Sequence, residues 1–280
     1  MLNSILMLAS GGSHHELPMY ATEFQFGPLV VTNSMIVSWV VALGLIIFVQ
    51  WAMRNASLVP KGSQNFLELV VESLLTLLEG VMGRGLAHKT FWFFASVFIF
   101  IVSANWFGLV PGVGTIGMGA GESWFSVDVV KPFFRGVNAD VNMTLAMALT
   151  FFGMWIIWAL QSNGVGGCIR HIFGSKADNK GVLGLLMAAI FIFVGVIEVV
   201  SIAFRPVSLS CRLFGNIYGG EYMLESMMAI NEKLSWLIPL PFYFFELLVG
   251  LVQALVFCLL TAIFTSTMCA HDESGGKSHH

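Results

Sequence analysis

The sequence predicts an all-α polytopic membrane protein of about five crossings, with one amphipathic surface helix and a long, tilted helical hairpin at its carboxyl end, facing a partner. Three observations predict it. Of 280 residues, 57% are hydrophobic and 10% charged, too apolar a balance for a soluble domain. Several stretches of about 20 residues are almost free of charge, the length a helix needs to cross a hydrocarbon core. The final third holds two apolar runs longer than one crossing, in which polar side chains recur at steps of three and four. A formal net charge of −3 without a long Lys/Arg block excludes a surface that tracks a nucleic-acid backbone. Cys168, Cys211, Cys258 and Cys269 form no C-x-x-C pair and read as small hydrophobes, so neither metal nor cofactor is expected.

Residues 1–34 read as an external amino-terminal segment. They begin with a short apolar run that lacks the basic flank of a cleaved signal. Residues 35–53 form the first span, and Arg54 and Lys61 after it place its end in the cytoplasm by the positive-inside rule. Over 65–82, Glu68, Glu72, Thr76 and Glu79 recur on one helical face while leucine and valine fill the other, which predicts an amphipathic helix rather than a span. Residues 91–160 form a helical hairpin: a crossing at 91–110, a glycine-rich external loop over 111–140 carrying Arg135, and a second crossing from Val141 to Leu160. Asp140 before that crossing is either a helix cap or, with Asn142, part of the external mouth of an ion path. Residues 161–180 read as a cytoplasmic loop, and 271–280 as a frayed cytoplasmic tail.

The long hairpin covers 182–270. Its first helix, 182–229, is roughly twice a bilayer core at about 1.5 Å per residue, so it must tilt or break, with Pro206 the expected bend. At about 100° per residue, Ser201, Arg205, Ser208, Arg212 and Asn216 share one narrow stripe, continued by Gly219, with Glu198 at its edge. An arginine near a bilayer centre costs about 2.5–3.5 kcal/mol on insertion scales, so Arg212 must face protein, water or an opposite charge. The second helix, expected from Leu234, carries Tyr243, Glu246, Gly250, Gln253 and Phe257 on one face. Glu221 lies nine residues after Arg212 and points to the opposite side of its helix, toward the one carrying Glu246.

The run P-V-S-L-S-C-R-L-F-G-N-I-Y-G-G-E, residues 206–221, resembles the signature of subunit a of the F-type ATP synthase. A-D-V-N-M-T-L-A-M-A-L, residues 139–149, is similar to the same family, and the likeness continues from Glu198 to the end of the chain. The resemblance implies a stator subunit in a bacterial cell membrane, working against a rotor ring of c subunits, each with one buried carboxylate. It also implies peripheral-stalk b subunits and the remaining F1Fo subunits as partners, and H+ or Na+ as the transported ion. By that resemblance Arg212 faces the ring. Asn216, Glu221, Glu246 and Gln253, with Asp140 and Asn142, match the external half-channel, and Glu198 and Ser208 the cytoplasmic one. Enteric relatives carry histidine in the place of Glu246. If Glu221 and Glu246 are neighbours, both cannot ionise when dry, and one proton or cation is shared between them.

Other classes fit less well. An independent transporter or channel needs a self-contained site at broken helices of a repeat, and no such repeat is visible. An intramembrane hydrolase needs a nucleophile with a buried base, whereas no G-x-S-G element occurs and all seven histidines lie outside the expected spans. A passive scaffold leaves the arginine stripe unexplained.

Overall fold

The computed structural model describes residues 23–26, 29–110, 117–119, 129–132, 134–173, 182–230, 234 and 237–269. The remainder, including residues 1–22, the link at 231–233 and the tail at 271–280, lies outside the described residues.

The architecture is helical, with five helices among the described residues long and apolar enough to cross a membrane. Ahead of the first, β1 (Glu23–Phe26) and β2 (Leu29–Thr32) pair antiparallel, with Glu23 opposite Thr32 and Phe26 opposite Leu29. Thr32 then caps α1 (Asn33–Met53), its hydroxyl accepting from the Met35 N–H at 3.3 Å. The amphipathic helix α2 (Ser63–Met82) buries Leu74, Leu78 and Met82 against α3 and α6. Gly83 joins α2 to α3 (Arg84–Gly108) with a φ of 78°, a left-handed conformation that costs glycine little and lets a surface helix turn directly into a crossing. Arg84, His88 and Lys89, which precede the crossing expected at 91–110, therefore lie within α3. Arg84 and His88 approach Glu79 at 3.6 and 3.0 Å.

The described residues within the expected external loop over 111–140 include regular structure. Strands β3 (Gly117–Gly119) and β4 (Val129–Pro132) pair antiparallel, and a 3-10 turn at Val137–Ala139 leads into α4 (Val141–Phe173). Residues 135–140 are buried rather than exposed. A Cβ at Gly108 would stand 3.2 Å from the Gly136 Cα, so the bare end of α3 is what admits this segment.

Two further expectations are corrected. The chain does not leave the helix at Gln161: α4 continues to Phe173, interrupted only at Gly164, where φ is 66°. Two of the polar residues there bond the end of the last helix: Asn163 donates to the Met268 carbonyl at 2.6 Å and Ser162 to that of Cys269 at 3.5 Å. The last helix starts at Leu240, not Leu234. Pro239 and Pro241 lack the N–H that a helix interior requires and are accepted only around its first turn.

Helix α5 spans Val182–Ala229 and runs through Pro206 without a break; α6 spans Leu240–Cys269. Between lipid-like surroundings, helices are held by close packing and interhelical hydrogen bonds more than by water exclusion. Phe93 and Phe94 of α3 meet Trp158 of α4 with ring centroids 5.5 and 5.8 Å apart. The Trp106 indole donates to the Leu247 carbonyl at 3.1 Å, and that of Trp155 to Phe264 at 3.2 Å. Of the apolar core of α5, only 11% is buried, against 39% for α3 and α6. One long side of α5 is therefore bare.

Candidate functional site

The helical period sorts the α5 residues by side. Leu209, Leu213 and Ile217 are buried against α4 and α6, whereas Ser201, Ser208, Arg212, Gly215, Asn216 and Gly219 are exposed. Arg212 stands on the bare side, and among the described residues it has neither hydrogen bond nor ion pair. Arg205, in the same stripe, turns inward. Its guanidinium lies 4.3 Å from the Phe264 ring centroid and 5.9 Å from that of Trp155, with Glu198 as its electrostatic neighbour. The two arginines of one stripe thus have different surroundings, one pinned by aromatic faces and the other open.

Behind the bare side lies a polar interior. The expected face of α6 is observed: Glu246, Gly250, Gln253 and Phe257 are all buried, with Tyr243 half-buried. The Asn216 amide donates to the Gln253 carbonyl oxygen at 2.5 Å, bridging α5 and α6 one turn beyond Arg212. The Glu246 carboxyl packs against the α-carbon of Gly220, where any Cβ would collide with it. A cavity of about 310 Å³ opens here, with Asn216, Gly219, Gly220, Phe245 and Glu246 among its walls.

Glu221 is next to Gly220 in sequence but turns to a different partner. Its Oε2 lies 3.7 Å from Nε of Arg135, which is only 6% exposed. A Cβ on Gly136 would meet Glu221 Oε1 at 2.5 Å, so glycine at 136 makes room for the carboxylate. Nearby, Asn138 donates to Asn105 Oδ1 at 2.5 Å and Asn105 donates to the Gly250 carbonyl at 3.0 Å. Thr144 and Ser210 share a 2.9 Å hydroxyl contact between α4 and α5.

Asp140 is 2% exposed and caps α4 by accepting the Asn142 N–H at 3.0 Å through Oδ1. The capping reading is therefore realised, although its other oxygen stays buried and without a hydrogen bond. Asn142 itself is exposed and stands apart from the cluster. Glu198 and Ser208 lie toward the other half of α5, half-exposed and exposed. Sequence reasoning missed Arg135, Asn105 and Asn138. Arg135 looks like any loop charge, and the one usable signal was its place five residues before Asp140.

Buried polar atoms almost always find a partner, in protein or in water. Here Asp140 Oδ2, Asn138 Oδ1, Glu246 Oε1 and Gln253 Nε2 have none among the described residues. They are three acceptors and one donor, with Glu246 in the cavity wall, and water or a desolvated cation would satisfy them. Among the described residues no group of three His, Cys, Asp or Glu is placed to hold a metal.

Five helices among the described residues that are long and apolar enough to cross a membrane, with buried polar groups between them and an exposed arginine on α5, define a polytopic membrane protein. Residues 35–266 match the model of the ATP synthase A chain family. The chain is 31% identical over 268 residues to an ATP synthase subunit a of Vibrio vulnificus, covering 94% of this chain and 92% of that one. It is 30% identical over 254 residues to one of Solidesulfovibrio magneticus, covering 90% and 91%. To one of Moorella thermoacetica it is 29% identical over 241 residues, covering 86% and 92%. The chain belongs to the ATP synthase A chain family.

Proposed function

We propose that this chain is the membrane stator of a rotary ATP synthase, whose two half-channels couple ion flow across a bacterial cell membrane to rotation of a c-ring and to ATP synthesis. The observation that carries the proposal is Arg212, exposed and unpaired on the bare side of a span otherwise apolar. A charge in that setting needs an opposite charge brought by a partner. A ring carboxylate answers it: the guanidinium stabilises the ionised carboxylate in low dielectric and repels cations that would leak between the half-channels. The external half-channel is the path through Glu246, Gln253 and Asn216, with Glu221 and Asp140 beside it. The cytoplasmic one runs by Glu198 and Ser208. The amino terminus is external and the carboxyl terminus cytoplasmic, following the loop charges. Peripheral-stalk b subunits and the remaining F1Fo subunits complete the assembly.

The test is ATP-driven ion pumping in inverted membrane vesicles, with and without sodium. Arg212→Ala should abolish pumping and coupled synthesis while the chain stays inserted. Arg212→Lys should be severely impaired, because the point charge lacks the planar fork and is more easily neutralised. Normal coupled turnover in either variant would overturn the proposal. Pumping that requires sodium identifies Na+ as the ion, and pumping without it identifies H+.

A further inference from the structure

Arg135 has no part in the path just described, yet it is more deeply buried than Arg205 or Arg212. Its segment is anchored on both sides. Gly136 abuts the end of α3 at Gly108, and Asn138 is bonded to Asn105, which in turn holds the α6 backbone at Gly250. The guanidinium, 6.0 Å from the Tyr218 ring centroid, is thereby presented to Glu221. The charged groups around Glu221 are Arg135 from this segment, Glu246 from α6 and Glu225 one turn along α5. From α3 the buried polar contribution is the amide of Asn105.

This arrangement makes the two path carboxyls unequal. Glu221 has a cation at 3.7 Å. Glu246 has none among the described residues, and it stands in the wall of the cavity, which Glu221 does not line. An opposite charge within about 4–6 Å favours the ionised form of a carboxyl, whereas a desolvated carboxyl without one favours taking up a proton or cation. We propose that Arg135 is a positioning residue of the ion path: it pairs with Glu221 and keeps that carboxyl turned out of the cavity, so that Glu246, in the cavity wall, is the carboxyl that takes up and releases the transported ion. In the proton case the step is Glu246 carboxylate plus H+ giving the carboxylic acid, then the reverse, with no other reactant. The inference rests on the stator reading and replaces the shared proton that the sequence alone suggested.

The experiment uses the whole assembled complex in membrane vesicles, reading ATP-driven pumping against external pH and passive flux after removal of the soluble sector. Both are normalised to the amount of assembled chain. Arg135→Gln should lower flux about tenfold or more and move the external pH of half-maximal pumping by about one unit or more, since an uncompensated Glu221 then competes for the ion. Arg135→Lys should leave that midpoint in place and restore much of the flux. The charge-neutral pair Arg135→Gln with Glu221→Gln should also recover flux, because Glu246 is intact, while Glu246→Gln should lose it whatever stands at 135. If Arg135→Gln fails to assemble, the lysine variant and the neutral pair decide. An unmoved midpoint in Arg135→Gln, a moved midpoint in Arg135→Lys, or a neutral pair that recovers no flux or still pumps with Glu246→Gln added, would overturn the proposal. Arg212→Ala in the same vesicles reports separately on the stator reading.

Discussion

Gly220→Ala isolates position from stability at the centre of the path. The added methyl would stand where the Glu246 carboxyl now lies, the Cδ and both carboxylate oxygens being its nearest neighbours. All three atoms are the far end of a flexible side chain, so the fold can accept the substitution by moving the carboxyl. An off-rotamer side chain costs about 0.5–1.5 kcal/mol. Alanine in place of glycine in a helix returns about 0.8–1.0 kcal/mol. Net stability should therefore change by less than about 1 kcal/mol, and assembled protein should be near normal. Function should not be, because moving a reacting group by about 1 Å can cost about a hundredfold in rate. The assay is ATP-driven pumping and passive flux per assembled complex. Adding Glu246→Asp, which withdraws the carboxyl by one methylene, should restore part of the loss in the Gly220→Ala background. Gly153→Ala, where a Cβ meets nothing within 4 Å, is the control and should behave as wild type. Pumping within twofold of wild type in Gly220→Ala, or no recovery with the shorter carboxylate, would refute the placement of Glu246.

Two other substitutions probe the scaffold around the path. Arg205→Gln removes the cation lying 4.3 Å from Phe264, an interaction worth about 2 kcal/mol when desolvated, and should lower the thermal midpoint of the purified complex. Arg205→Lys should recover most of it. Asn105→Leu deletes the bonds to Asn138 and to the Gly250 carbonyl and leaves the buried Asn138 amide unpaired, at about 1–3 kcal/mol. The expected sign is faster proteolysis between α3 and α4, and unchanged protease resistance would show that these bonds do not hold the segment.

Where helical period and composition act along one element, the structure was readable in advance. The limits of α5, the outward stripe of Arg212 and Ser208 and the inward face of α6 all follow from residues spaced by three and four within apolar sequence. What the sequence concealed depends on contacts between distant elements. Arg135 is one charge in a glycine-rich stretch, and only packing on Gly108 and Glu221 makes it an interior residue. Asn105 is a single amide in an apolar helix, meaningful only once Gly250 and Asn138 lie beside it. Gln161, Ser162 and Asn163 looked like loop residues because their hydrogen-bonding capacity was assigned to water, whereas Ser162 and Asn163 bond the end of α6. The β1–β2 hairpin had a local signal, two short apolar runs separated by Gly27-Pro28, that the helical pattern nearby overshadowed.

The central claim is that the bare side of α5 faces a ring, and cysteine crosslinking tests it most directly. In a background with Cys168, Cys211, Cys258 and Cys269 replaced, Ser208→Cys, Arg212→Cys and Asn216→Cys would be paired with single cysteines on the lipid-depth helix of the ring subunit, and disulfide yield measured in native membranes. Leu213→Cys and Ile217→Cys serve as inward-facing references, since those side chains are 0% and 7% exposed. High yield at 208, 212 and 216 with little at 213 and 217 is the predicted result. Equal yields around the helix, or yields favouring 213 and 217, would contradict it.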